Sequence, residues 1–118
     1  MKTKFVFNSI LLIISTAIII TACYKSKSSY NNNANSYKIS MKNSVFSPAS
    51  LTVVAGSTVT WMNDDNMIHT VTATDGSFNS GDIAVGSSYS KTFSTAGTIN
   101  YSDSHNSSMT GVLIISGY

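Results

Sequence analysis

The sequence of 118 residues predicts an all-β protein, a Greek-key β-sandwich of about seven to eight strands over residues 37–118. Short segments in this region alternate apolar and polar residues, with the period of two that is typical of a strand with one buried face. Turn signals that contain glycine or proline separate these segments. No stretch after Tyr37 has ten residues with the 3.6-residue apolar spacing of a helix. These three observations together favour two packed sheets.

The first 22 residues read as a targeting segment. Two lysines precede an apolar stretch over residues 5–20, and Thr21-Ala22-Cys23 follows it. Small residues before a cysteine at such a point resemble the bacterial lipobox, in which the cysteine is lipidated and becomes the first mature residue. We therefore expect residues 1–22 to be a lipoprotein signal peptide and Cys23 to be the lipid attachment site, with a short transmembrane anchor as the alternative. Either interpretation predicts an exported protein tethered to a membrane of the cell envelope, on its periplasmic or outer surface.

Residues 23–36 should comprise the lipidated cysteine and a disordered linker, because they are polar, low in complexity and unable to bury apolar surface. Cys23 is the only cysteine of the chain, so residues 37–118 contain no thiol for a disulfide, a metal or catalysis. Of the seven basic residues, two lie in the signal segment, which leaves five against five acidic ones. This balance provides no basic patch and argues against nucleic acid as a partner.

The strands follow from local patterns, taken in chain order. Residues 58–61 and 98–101 alternate between threonine or asparagine and a large apolar residue. Residues 70–72 form a β-branched run, and residues 112–115 are apolar throughout, which fits a strand buried on both faces. Turn signals lie at Ser47-Pro48, Ala55-Gly56-Ser57, Asp75-Gly76, Ser80-Gly81, Val85-Gly86 and Ala96-Gly97. We expect the core to include Val59, Trp61, Ile99, Tyr101, Val112 and Ile114.

The segment Gly97–Gly111 reads G-T-I-N-Y-S-D-S-H-N-S-S-M-T-G. It resembles the ligand loop of the cupredoxins, the small blue-copper proteins, in which the pattern is approximately Y-x-C-x-x-H-x-x-M-x-G. His69, within N-D-D-N-M-I-H-T-V-T, is similar to the earlier segment that supplies a second histidine in that family. Family-like strings also occur over Phe46–Asn63, Asp75–Gly81, Gly86–Phe93 and Ala96–Tyr101. The resemblance implies a cupredoxin-like sandwich, copper binding, electron transfer, and a redox or copper-handling protein as partner.

The alignment places Asp103 on the cysteine position of the family and Asn106 on its histidine position, with His105 one residue early. A carboxylate in place of the thiolate favours Cu(II) or Zn(II) over Cu(I) and removes the soft ligand of a blue site. Residues i and i+2 of a strand share a face, so we expect Asp103 and His105 to point inward toward His69. The resulting prediction is a non-blue copper site, with zinc as the other candidate metal, formed by His69, Asp103, His105 and Met109.

Each of these residues also has an interpretation without a metal. Asp103 and His105 would be loop residues that cap turns or face water, and His69 would be a hydrogen-bonded residue of the sheet. Met109 would fill a gap in the core. The Asp64-Asp65 pair reads as a solvated turn. The favoured hypothesis is an envelope lipoprotein of cupredoxin type that binds non-blue copper, and the alternative is a metal-free sandwich that serves as an interaction or structural module.

Enzyme motifs are missing from the sequence. It contains no G-x-S-x-G nucleophile elbow, no glycine-rich phosphate loop before a helix, and no glutamate for paired-carboxylate chemistry. We therefore expect that the protein is not an enzyme. We also expect it to be a monomer.

Overall fold

The computed structural model describes residues 35–118, which contain eight strands and no helix. In chain order the strands are β1 (Ser36–Lys42), β2 (Val45–Ser47), β3 (Ser50–Val54), β4 (Ser57–Asn63), β5 (Thr72–Ala73), β6 (Ser88–Phe93), β7 (Gly97–Ser102) and β8 (Thr110–Ser116). The predicted β-sandwich is thereby confirmed. Within this described part, nothing helical is long and apolar enough to cross a membrane. The predicted signal peptide, Cys23 and the linker as far as residue 34 lie outside the described residues.

Two four-stranded sheets form the sandwich, in the orders β2-β1-β4-β6 and β3-β8-β7-β5. The pairs β1–β4 and β3–β8 are parallel, and the remaining pairs are antiparallel. The chain changes sheet at each connection from β2 to β7, so each sheet combines one pair of consecutive strands, β1–β2 or β7–β8, with strands that are distant in sequence. The loop after β4, in one sheet, and the loop after β7, in the other, meet at one end of the sandwich.

Trp61 of β4 lies at the centre of the core and is fully buried. Its ring is 5.6 Å from that of Tyr101 in the opposite sheet, in the edge-to-face arrangement that aromatic pairs prefer. The predicted core residues Val59, Trp61 and Tyr101 are all buried, and Ile99 packs against the core while partly exposed. The other buried apolar residues are Ile39, Met41, Phe46, Val53, Ala55, Val71, Ala73, Phe78, Ile83, Phe93, Met109, Leu113 and Ile115.

The prediction that Val112 and Ile114 of β8 face the core is wrong by one residue. Leu113 and Ile115 face the core, whereas Ile114 is 38% exposed and Val112 is only half-buried. Residues 112–115 are all apolar, so their sequence pattern does not indicate which alternate residues face the core. The phase is set by Gly111, which pairs with Tyr101 across β7 and β8. A Cβ atom at Gly111 would overlap the Tyr101 ring, so position 111 must face the core, and the alternate residues follow it.

Candidate functional site

The loop after β7 buries the carboxylate of Asp103 completely. The loop closes on itself through backbone hydrogen bonds, from Asp103 N to Met109 O (3.0 Å) and from Met109 N to Asn106 O (2.9 Å). Oδ1 of Asp103 accepts hydrogen bonds from the backbone N–H groups of Thr70 (2.9 Å) and His105 (3.0 Å). Oδ2 lies 2.7 Å from Nδ1 of His69. Both carboxylate oxygens of Asp103 are thus fully used within the protein.

His69 is held in place by its backbone and is 1% exposed at its side chain. It forms an isolated antiparallel bridge with Ile83, in which Ile83 N donates to His69 O at 2.8 Å. Its Nδ1 faces Asp103, and its Nε2 lies 3.0 Å from Oδ2 of Asp65. A carboxylate therefore stands at each nitrogen of the buried imidazole ring.

Asp65 is the residue of this cluster that sequence reasoning missed. Its side chain is only 10% exposed, so the prediction of a solvated turn at this position is wrong. Besides facing His69, its Oδ2 accepts the backbone N–H of Ser44 at 2.9 Å. Asn63 orients the loop, because its side chain accepts from Asp65 N and donates to Met67 O and Ile83 O. The available signal was the placement of Asp65 four residues before His69.

The turn between β1 and β2 supplies the Ser44 N–H group. Asn43 and Ser44 have φ angles of 54° and 58°, which is the geometry of a two-residue type I′ hairpin turn. Asparagine tolerates such left-handed backbone better than most residues. This turn points the Ser44 N–H at the Asp65 carboxylate, and so connects a third loop to the cluster.

The mutual hydrogen bonds shift the pKa values of all three side chains. Backbone N–H groups of Ser44 and Asn66, together with His69, lower the pKa of Asp65 to about 2. Burial alone would raise the pKa of Asp103, but the bonds from His69, His105 and Thr70 outweigh it and the net shift is downward. Burial alone would lower the pKa of His69, but the two carboxylates raise it overall. The favoured charge state is an imidazolium between two carboxylates.

The prediction that His105 points inward beside Asp103 is wrong. Its side chain is 50% exposed, and its Nε2 lies 2.7 Å from Oδ1 of Asp82 on the surface. The alternation expected from the strand ends at Ser102, because the tight loop that follows turns the chain. Asn106, which the sequence resemblance places on the family's histidine position, accepts hydrogen bonds from Ser108 through its side chain. Met109 is buried in the core. Of the four predicted ligands, only His69 and Asp103 contact each other through their side chains.

The charge state predicts how stability depends on pH. The raised pKa of His69 stabilises the fold below about pH 6.5, the ordinary histidine value, and this contribution is lost as the pH rises through the folded-state pKa. The lowered pKa values of Asp65 and Asp103 stabilise the fold above pH 3.8, and each contribution is lost as the pH falls through the folded-state pKa, which is about 2 for Asp65.

Thermal unfolding followed by circular dichroism should therefore give the highest melting temperature between about pH 3.8 and pH 6.5. His69→Gln should flatten the alkaline side of the profile, and Asp82→Asn, at the exposed pair, should leave the profile unchanged. A wild-type melting temperature that keeps rising between pH 6.5 and 8 would contradict the assigned charges.

Comparison with known proteins identifies the family. A family model described as a cupredoxin-like domain matches residues 12–115, which is most of the chain. This chain belongs to the cupredoxin family. Among solved structures it resembles a purple cupredoxin from Nitrosopumilus maritimus, with 26% identity over 68% of this chain and 99% of that one, at a TM-score of 0.64. No curated protein matches the chain in sequence.

Two further similarities concern the fold alone. A Cu(I) form of an amicyanin variant is 23% identical over 69% of this chain and 82% of that one, at a TM-score of 0.65. A copper-containing nitrite reductase from Thermus scotoductus is 22% identical over 68% of this chain, at a TM-score of 0.65. The present chain spans only 22% of that enzyme. These neighbours are copper proteins by their descriptions.

The residues of this cupredoxin domain do not fit a blue copper centre. Residues 35–118 contain no cysteine that could supply a thiolate, and the His105 side chain is turned to the surface. His69 and Asp103 also satisfy each other directly. Within residues 35–118, no three histidine, cysteine or acidic side chains are grouped so that they could hold a metal ion.

Proposed function

We propose that this protein is a cell-envelope lipoprotein whose cupredoxin domain works without a blue copper centre, as an interaction or structural module. The carrying observation is the direct 2.7 Å contact between His69 Nδ1 and Asp103 Oδ2 at the ligand positions of the family. Blue copper proteins transfer electrons through a soft thiolate and two imidazoles. In this chain His69 and Asp103, which the resemblance assigns to two of those positions, bond to each other.

Exposed apolar side chains near this cluster support a binding role. Val45 and Val85 are 54% and 55% exposed, and Met67 and Ile68 are each 50% exposed. Val45 follows Ser44, which bonds to Asp65, and the carbonyl of Met67 accepts from Asn63. Val85 precedes Gly86, whose N–H donates to the Asn63 carbonyl. Apolar side chains that form a contiguous patch in contact with water are typical of surfaces that bind another protein, and we propose that these four contribute to such a surface.

Titration with Cu(II), followed by absorption and electron paramagnetic resonance, tests the proposal. The purified chain in detergent should show no intense blue band and no saturable site that depends on His69. The non-blue copper site predicted from the sequence is the competing outcome: tetragonal nitrogen and oxygen coordination that His69→Ala abolishes. His105→Ala serves as a control. Copper binding that is lost in His105→Ala but kept in His69→Ala takes place at the surface and not at the buried cluster. A saturable Cu(II) site in the wild-type protein that His69→Ala abolishes and His105→Ala leaves intact would overturn the proposal.

The tether is tested separately through Cys23. We expect Cys23→Ser to block lipid attachment and signal processing, because the modified cysteine is the first mature residue of a lipoprotein. The variant should accumulate as an uncleaved or mislocalised precursor in membrane fractionation and mass spectrometry. Cys23→Ser processed and localised like the wild-type chain would refute the lipoprotein assignment.

A further inference from the structure

We infer that an imidazolium at His69, clamped between Asp65 and Asp103, takes the place of the family's copper ion as the cross-link between loops at this end of the domain. The inference goes beyond the proposed function, because it identifies what joins those loops in a cupredoxin domain whose ligand set does not fit a blue copper centre. It rests on the bonding of three buried side chains and on the elements that they connect.

Both ring nitrogens of His69 must carry protons in this arrangement. A neutral imidazole has one N–H donor and one bare nitrogen that only accepts. Either bare nitrogen would face an ionised carboxylate oxygen, at 2.7 Å on the Asp103 side or 3.0 Å on the Asp65 side. Two acceptors at hydrogen-bond distance would repel one another. The doubly protonated ring instead donates one charge-assisted hydrogen bond to each carboxylate.

Among residues 35–118, no other charged side chain contacts the His69 ring. His105 reaches Asp103 only through its backbone N–H, and its own ring is paired with Asp82 on the surface. Asp64, next to Asp65, is turned to Ser40 and lies 3.9 Å from the amine of Lys38. The two carboxylates that contact His69 are therefore Asp65 and Asp103.

The cluster connects elements from both sheets. Asp65 follows β4 and holds the β1–β2 turn through the Ser44 N–H group. Asp103 follows β7, in the other sheet, and holds the N–H group of Thr70. His69 joins these two carboxylates. In the cupredoxin pattern, a histidine from this earlier segment and the loop that contains position 103 share the copper ion. The imidazolium thus links the same two loops without a metal.

Nuclear magnetic resonance of the ¹⁵N-histidine-labelled full chain in detergent tests the charge state of His69 in the wild-type protein. At pH 6 both ring nitrogens of His69 should show protonated shifts, with N–H protons that exchange slowly because the ring is buried. His105 provides the control in the same spectrum, since it has the same 2.7 Å distance to an aspartate but is half exposed. Its N–H protons should exchange rapidly, and His105→Gln assigns the two rings. A single protonated nitrogen on His69 would overturn the inference.

Hydrogen exchange tests the cross-link itself. His69→Gln should accelerate exchange of the backbone N–H groups of Ser44 and Thr70 by about tenfold or more, because their acceptors lose the charged group that holds them. Asp82→Asn should leave both rates unchanged. Equal rates in wild-type and His69→Gln protein would show that the loops do not depend on this ring. These results are independent of copper titration, so the proposed function and the cross-link can fail separately.

Discussion

Replacing Asp103 with alanine should lower the free energy of unfolding by about 3–5 kcal/mol, the usual cost of removing one partner from a buried ion pair. The variant leaves the imidazolium of His69 in a buried position with one carboxylate fewer. It also removes the acceptor of the Thr70 and His105 N–H groups. Urea denaturation followed by circular dichroism measures the effect.

Asp82→Ala is the matched control for this variant. It breaks a histidine–aspartate contact of the same 2.7 Å length, but at side chains that are 50% and 66% exposed. Exposed pairs contribute only about 0–1 kcal/mol, since water and salt screen them. If Asp103→Ala and Asp82→Ala destabilised the protein equally, burial of the Asp103 cluster would have no energetic role.

The double variant Asp103→Cys, Asn106→His should gain a copper–thiolate absorption band that the wild-type chain lacks. The loop keeps the cupredoxin pattern around these two positions, and the side chain at 103 already points at Nδ1 of His69. The two changes supply the soft thiolate and the second imidazole that a trigonal copper site requires. Absorption after addition of Cu(II) measures the band.

Two comparisons make this prediction sharper. Asp103→Cys alone should give a weaker band, because His105 is bonded to Asp82 on the surface and does not replace the missing imidazole. Adding His69→Ala to the double variant should abolish the band. A folded double variant with no thiolate band would show that the loop has departed from the copper-binding geometry of the family.

The sandwich could be predicted from the sequence because apolar and polar residues alternate along several of its strands. Val59 and Tyr101 each stand between polar residues, and Trp61 follows Thr60 in the same alternation, so their burial followed from the pattern. β8 has no such contrast, and its register depends on the contact between Gly111 and the Tyr101 ring. That contact joins two strands and leaves no trace in the local pattern.

Part of the site could also be predicted, but from the family resemblance and not from alternation. The resemblance to the family located His69 and Asp103, and these two side chains do meet. Alternation could not place His105, because the loop after Ser102 turns tightly through its own hydrogen bonds. Asp65 looked like one of several polar loop residues. Its burial depends on the β1–β2 turn and on the amide of Asn63, which come together only in the folded chain.

Adding Cu(II) to the ¹⁵N-histidine-labelled His105→Gln chain asks whether a metal can displace the imidazolium of His69. Paramagnetic Cu(II) broadens the signals of nuclei close to it, and the variant removes the exposed imidazole two residues from Asp103 that could itself bind Cu(II). With an imidazolium in the place of the metal, both His69 ring signals should persist at one equivalent of Cu(II) near pH 6. Loss of the His69 signals at about one equivalent of Cu(II), with the fold intact, would show that the metal displaces the ring proton and would contradict the account.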